Sequence, residues 1–227
     1  ITWTNKKDHA SPCLLTINAH EHVIQALDQY GEYIASGADD HAIKLWNATT
    51  GESVSTIKVH TGSIMAVKFA DEGRHLISTS WDKTLNILDI TTVPATVRHT
   101  YTGSSKWMAV AVDDQMWVAA YSRQVFVYRG YESPVLLNMW AAPSAVVALA
   151  LSQNLIAMAC NDEKVYLHRV EAGTVVPSHA SFDAPKINVL AFGANATRLA
   201  GSGVSRTITI WDLTTDEPTK LHTLAYH

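Results

Sequence analysis

Apolar residues fall in short runs along nearly the whole chain, and each run ends in Gly, Asp, Asn or Ser. Between His20 and His60 four such runs follow one another: Val23–Leu27, Tyr33–Ser36, Ile43–Trp46 and Val54–Val59. They are separated by Asp28–Gly31, Gly37–Asp40 and Asn47–Gly51. Short runs rich in Val, Ile, Tyr and Trp, punctuated by turn formers, predict the strands of an antiparallel meander.

The pattern recurs. The last position of each third run is Trp3, Trp46, Leu88, Tyr128, His168 and Trp211, at intervals of 43, 42, 40, 40 and 43 residues. Six places earlier stand Asp40, Asp82, Ser122, Asp162 and Ser205. A period of about 40–45 residues is that of one four-stranded propeller blade. His20, Ser36, Asp40 and Trp46 in the first unit, and His60, Ser78 and Asp82 in the second, resemble the polar landmarks of WD40 repeats. In such repeats Asp, His, Ser and Trp form a buried hydrogen-bond chain, so the resemblance implies a structural role for these residues.

The expected fold class is therefore all-β: a WD40 β-propeller of four-stranded antiparallel blades. Five full blades are expected at 20–59, 60–102, 103–141, 142–182 and 183–226. Residues 1–19 read as a partial blade holding third and fourth strands, and His227 as the start of a further repeat. The blade at 103–141 is degenerate, with Gly103, Ser122 and Tyr128 where His, Asp and Trp are expected. Open sheets leave unpaired edges, and propellers close by pairing terminal strands. Five and a half blades thus read as an incomplete portion of a seven-bladed propeller, with an opening rather than a sealed ring.

Composition narrows the function classes. Apolar residues make up 47% of 227, which excludes global disorder. The net charge is −4 with no basic block, which argues against nucleic acid as a partner. Ala145–Leu151 is too short to span a bilayer, so no membrane partner is expected. Cys13 and Cys160 lie in different repeats and read as free thiols of a reducing, cytoplasmic compartment.

No motif carries catalysis: a Ser nucleophile needs exposure and an oxyanion site, and a strand-interior Ser36 offers neither. His20-Glu21-His22 lacks both the helical spacing and a third ligand for zinc. Neither cofactor nor metal is expected, and the chain reads as a non-enzyme. The candidate site is instead a protein interface on the face that carries the turn before each structural Asp and the loop after each GH-type His. That face collects Trp81, Tyr121, His22, Asp39, Lys106, Asn161 and Lys186. Two large aromatics among charges of both signs suit an interface core and rim. Trp81 in particular is expected to point outward, because Ser80 and Asp82 point into the blade.

Blade order adds a narrower resemblance. Ser80-Trp81-Asp82-Lys83, the degenerate blade with Val118-Ala119-Ala120-Tyr121 and Val125–Tyr128, then Asn161–His168 and Ser205-Arg206, together resemble the second propeller of the actin-interacting protein family. That family works with cofilin to disassemble actin filaments, so actin and cofilin are the partners this resemblance implies, with a cytoskeletal location. Trp211-Asp212 is more regular than that family leads one to expect. The competing reading is a generic scaffold, or a substrate-receptor subunit of a multiprotein complex.

Overall fold

A computed structural model describes residues 15–177, 181–215 and 217–225. The partial blade expected at 1–19 and the repeat start at His227 fall largely outside these residues; 15–19 form no regular strand. Strands β1 (Ile24–Tyr30), β2 (Tyr33–Ala38), β3 (Ile43–Asn47) and β4 (Ser53–Ile57) pair in order as one antiparallel sheet. A second sheet is β5 (Ile64–Ala70), β6 (His75–Ser80), β7 (Thr84–Asp89) and β8 (Thr96–Thr102). The third is β9 (Trp107–Asp113), β10 (Met116–Tyr121), β11 (Gln124–Arg129) and β12 (Val135–Ala141). The fourth holds β13 (Val146–Ser152), β14 (Leu155–Cys160), β15 (Lys164–Glu171) and β16 (Thr174–Pro177), with β17 (Phe182–Asp183) also pairing β15. The fifth is β18 (Ile187–Phe192), β19 (Arg198–Gly203), β20 (Thr207–Asp212) and β21 (Thr219–Ala225). These are five blades of four antiparallel strands in a propeller arrangement, as the period requires.

The blades stack face to face through their innermost strands, in the series β1, β5, β9, β13, β18. Side chains alternate across each strand, so every middle blade has two apolar faces and gives one to each neighbour. Four hydrophobic clusters result, one per junction. Ala35, Ile43 and Leu45 meet Val67, Leu76 and Leu88 at the first junction. Ile77, Leu85 and Ile87 meet Val110 and Trp117 at the second. Val118, Val125 and Val127 meet Leu149, Ile156 and Met158 at the third. Ala157, Val165 and Leu167 meet Leu190, Leu199 and Trp211 at the fourth. Among the described residues no such cluster joins the fifth blade to the first.

The antiparallel order fixes what lies at each end of the blades. The turns joining second to third strands (39–42, 81–83, 122–123, 161–163, 204–206) share one face with the loops that enter each innermost strand. The turns joining first to second strands lie on the opposite face. Glycine is required at two positions on the first of these faces. A Cβ on Gly62 would stand 2.8 Å from the Asp82 amide nitrogen, and one on Gly203 would stand 1.7 Å from the Lys186 carbonyl oxygen.

Candidate functional site

The site begins with the buried polar sets that hold its turns. In the first blade the His20 side chain is buried, and its Nδ1 lies 2.8 Å from Asp40 Oδ2. Its Nε2 lies 2.7 Å from Ser36 Oγ, and the Trp46 indole N–H donates to the same hydroxyl at 2.9 Å. A neutral imidazole protonated at Nδ1 satisfies the whole chain: it donates to the carboxylate and accepts from Ser36, which in turn accepts from the indole. Burial pushes the Asp40 carboxyl upward, but the hydrogen bonds from His20 and the Ala42 amide outweigh it and hold the group below the usual carboxylate range.

The second blade has the same core with different ends. His60 Nδ1 lies 2.9 Å from Asp82 Oδ2 and Nε2 lies 2.8 Å from Ser78 Oγ. With Leu88 in place of a Trp, the polar chain runs sideways: Thr84 donates its hydroxyl to Asp82 at 2.6 Å, and Thr100 donates to Asn86 Oδ1 at 2.7 Å. Thr84 joins this set unforeseen, although an Asp-x-Thr pair is the usual signal for such a local bond. Burial holds the His60 imidazole below its ordinary value, with Asp82 pulling the other way. Asp82 is itself lowered: burial raises it, and the Thr84 hydroxyl and the Thr61 and Thr84 amides overcome that.

These sets fix Trp81 between two inward-pointing neighbours. Ser80 is fully buried and donates to the Gly62 carbonyl at 3.0 Å, while the Asp82 amide donates back to Ser80 Oγ at 3.1 Å. The Trp81 amide donates to the Ser63 carbonyl at 2.9 Å. The backbone on both sides is thus pinned and the indole has only the outside to go to; it is 44% exposed. Lys106, on the loop entering the third blade, places its ammonium 3.7 Å from the centre of the indole ring. A cation over an exposed indole contributes about 0.5–1 kcal/mol. It also holds the ring upright against solvent.

Of the remaining residues on this face, His22, Asn161 and Lys186 are exposed, and Asp39 is half-buried and accepts from Gln25 at 3.1 Å. Tyr121 departs from the outward position expected of it. Its ring is half-buried and meets Trp107 edge-on at 4.8 Å. The cause is Gly103, which stands where a His enters the first two blades. A Cβ there would lie 2.9 Å from Tyr121 Cδ1, so the ring occupies the space that the missing side chain leaves. The aromatic part of the face is therefore Trp81 with Lys106, and the other positions frame it. His22 is exposed while His20 is committed to Asp40, so the two do not converge on a common ligand. Among the described residues no group of three or more His, Cys, Asp or Glu is placed to hold a metal ion. Cys160 is buried and unpaired, its thiol pushed up to about 12 by burial.

The family described as WD domain, G-beta repeat matches residues 11–47 and 51–89. These are WD40 repeats. The match covers the two repeats whose His and Asp are both retained. Periodic tryptophan protein 2 of Arabidopsis thaliana is 25% identical over 80% of this chain and 21% of its own length. An uncharacterized WD repeat-containing protein of Schizosaccharomyces pombe is 34% identical over 37% of the chain and 23% of its own. DDB1- and CUL4-associated factor 13 of Dictyostelium discoideum is 37% identical over 24% of the chain and 12% of its own. The chain spans less than a quarter of the length of these relatives. The crystal structure of the computationally designed Ika8 protein superposes with a TM-score of 0.74 over 94% of this chain and 65% of that one, at 23% identity, and shares its fold. None of these relatives is an actin-interacting protein by name.

Proposed function

We propose that the chain is a non-enzymatic WD40 interaction platform whose protein partner docks on the turn face centred on Trp81 and Lys106. One observation carries the reading. A large indole is held half in solvent between two buried, hydrogen-bonded neighbours, with an ammonium over its ring. Leaving 44% of a Trp exposed wastes apolar burial unless something covers it. The complement of this pair is an apolar side chain against the indole edge and a carboxylate against Lys106. The reading fits a generic scaffold or a substrate-receptor subunit of a multiprotein complex, and one relative is named for its association with DDB1 and CUL4. The narrower actin- and cofilin-directed role rests on the resemblance in blade order alone.

The test is affinity capture from cytoplasmic extract with the wild-type chain and with Trp81→Ala, followed by titration of the recovered partner. Trp81→Ala should weaken binding by about 2 kcal/mol, some thirtyfold, while leaving thermal stability within about 0.5 kcal/mol. Equal recovery by both proteins, or unfolding of the variant, defeats the reading. Co-sedimentation with filamentous actin, with and without cofilin, runs alongside. Trp81-dependent pelleting there would favour the narrower role over the generic one.

A further inference from the structure

On the face opposite Trp81, a cavity of about 340 Å³ lies between the turns that join first to second strands. Its two walls are the β5–β6 turn at 71–74 and the β9–β10 turn at 113–115, from blades that each have a neighbour on both sides. Tyr131 lines it from below. The residue is buried, and its hydroxyl donates to the carbonyls of Asp114 at 2.9 Å and Met116 at 3.2 Å, which holds the β9–β10 turn in place. Tyr30 reaches in from the first blade and lies across Gly73, where a Cβ would stand 2.5 Å from Tyr30 Cδ1. Its ring is tilted against the buried Phe69 at 6.4 Å and stays 46% exposed.

The charge around these rings is one-sided. Four carboxylates, Asp71, Glu72, Asp113 and Asp114, line the cavity against the single guanidinium of Arg74. On a chain whose net charge is −4, most of the imbalance is gathered at this one spot. Asp71 is engaged internally, accepting from Arg74 at 2.8 Å and lying 3.1 Å from His75 Nδ1. Asp113 accepts from the Gln153 amide at 2.6 Å. Among the described residues the exposed Glu72 and Asp114 carboxylates meet no hydrogen-bond or ion-pair partner. Burial first, then the charges of Asp71, Asp114 and Asp113, push the Tyr131 hydroxyl above its ordinary value, so three of the carboxylates act on the same ring.

We propose that this cavity is a second docking site, for a basic segment of a protein partner, with a cationic side chain seated against Tyr30 and countered by Glu72 and Asp114. An exposed ring offers a cation its π face, and two unpaired carboxylates offer it charge-assisted hydrogen bonds. An acidic segment would meet like charge on both walls. The volume lies within the range of about 300–1,000 Å³ usual for ligand sites. An adjoining cavity of about 390 Å³ shares Asp113, Asp114 and Gln115 and continues to Gln153 and Asn154 on the fourth blade, which gives an extended segment a path beyond its anchor. Neither Trp81 nor Lys106 takes part, so this site and the Trp81 face succeed or fail separately.

Fluorescence anisotropy with a labelled hexa-arginine peptide tests this, with hexa-glutamate alongside. Hexa-arginine should bind the wild-type chain saturably at one site, and hexa-glutamate should not bind. Glu72→Gln combined with Asp114→Asn should raise the dissociation constant about tenfold or more, since two counter-charges are lost. Glu163→Gln combined with Glu171→Gln removes the same charge elsewhere and should leave binding within about twofold of wild type. Tyr30→Leu, which keeps an apolar contact on Phe69, should weaken binding about two- to fivefold, and it carries the test should the first double variant lose its fold by circular dichroism. The cavity variants should recover the Trp81-dependent partner as the wild type does. A wild-type chain that does not bind hexa-arginine overturns the proposal. So does an equal loss in the two double variants, which would mean attraction to the chain's overall charge, or binding that Tyr30→Leu leaves unchanged.

Discussion

In the blade at 20–59 the end of the third strand is Trp46, whose indole N–H closes a polar chain through Ser36 and His20 to Asp40. In the blade at 103–141 the same position is Tyr128, and nothing polar is joined there. Its ring lies flat on Trp117 at 4.2 Å and tilted against Tyr101 at 5.2 Å, while Trp107 meets Tyr121 and Phe126 alongside. Two of this blade's three indoles donate to backbone carbonyls, Trp117 to Gly130 at 3.0 Å and Trp107 to Lys83 at 3.1 Å, while the buried Trp140 Nε1 meets no hydrogen-bond partner among the described residues. One blade ties its entry loop to its turn with a buried hydrogen-bond chain; the other packs Trp107 edge-on against Tyr121 at that end and stacks Trp117 on Tyr128 at the other. The four-stranded geometry therefore does not depend on the His–Ser–Asp–Trp set, and that set is one of at least two ways to lock a blade.

The comparison is broken most severely from the aromatic side. Trp117 is fully buried at the junction of the second and third blades, where it touches Tyr101 and Tyr128. Trp117→Ala removes the centre of that stack and leaves a cavity, with an expected loss of about 3–5 kcal/mol in urea unfolding. A loss under about 1 kcal/mol would show that the rings are not what holds this blade.

The polar side should break less, and unequally. Asp40→Ala orphans His20 and the Ala42 amide. Asp82→Ala orphans the Thr61 and Thr84 amides and takes the carboxylate from His60 Nδ1 and the Thr84 hydroxyl, which keep only each other at 3.0 Å. Each unsatisfied buried group costs about 1–3 kcal/mol, moderated where water reaches it. Both variants should be destabilised within about that range, Asp82→Ala the more. Equal losses, or a larger loss for Asp40→Ala, would mean that the extra donors at Asp82 contribute nothing.

How far these features were legible beforehand follows from where their causes lie. The blades could be read because each repeats one strand pattern, and the polar sets because Asp40 and Asp82 recur at a fixed distance from the third-strand end. The outward course of Trp81 was legible too, from Ser80 and Asp82 on either side of it. Its pairing with Lys106 spans two blades, and no local pattern encodes it. Tyr121 aligns with Trp81 in sequence yet turns inward, because Gly103 empties the position that His60 fills one blade earlier.

The smallest effect separates the two kinds of blade by pH. The His60 imidazole is held below its ordinary value of 6.5 by burial, and His168 is lowered for the same reason. A group whose folded value is depressed lets the unfolded chain bind protons first, so acid favours unfolding. Stability should be at its full value above 6.5 and decline as the pH falls from there toward the lowered folded values. A second decline should begin near 3.8, where Asp40 and Asp82 are protonated in the unfolded chain before the folded one, followed by Asp89, which Thr91 and Arg98 hold at about 2. Among the described residues the third blade has no buried His with a lowered value. Hydrogen exchange at single amides should therefore show protection falling between pH 7.5 and 5.5 on β6 and β7, and on β14 and β15, before it falls on β10 and β11. Protection lost at the same rate in all three blades would mean that unfolding is global across this range and that the buried imidazoles are not its trigger.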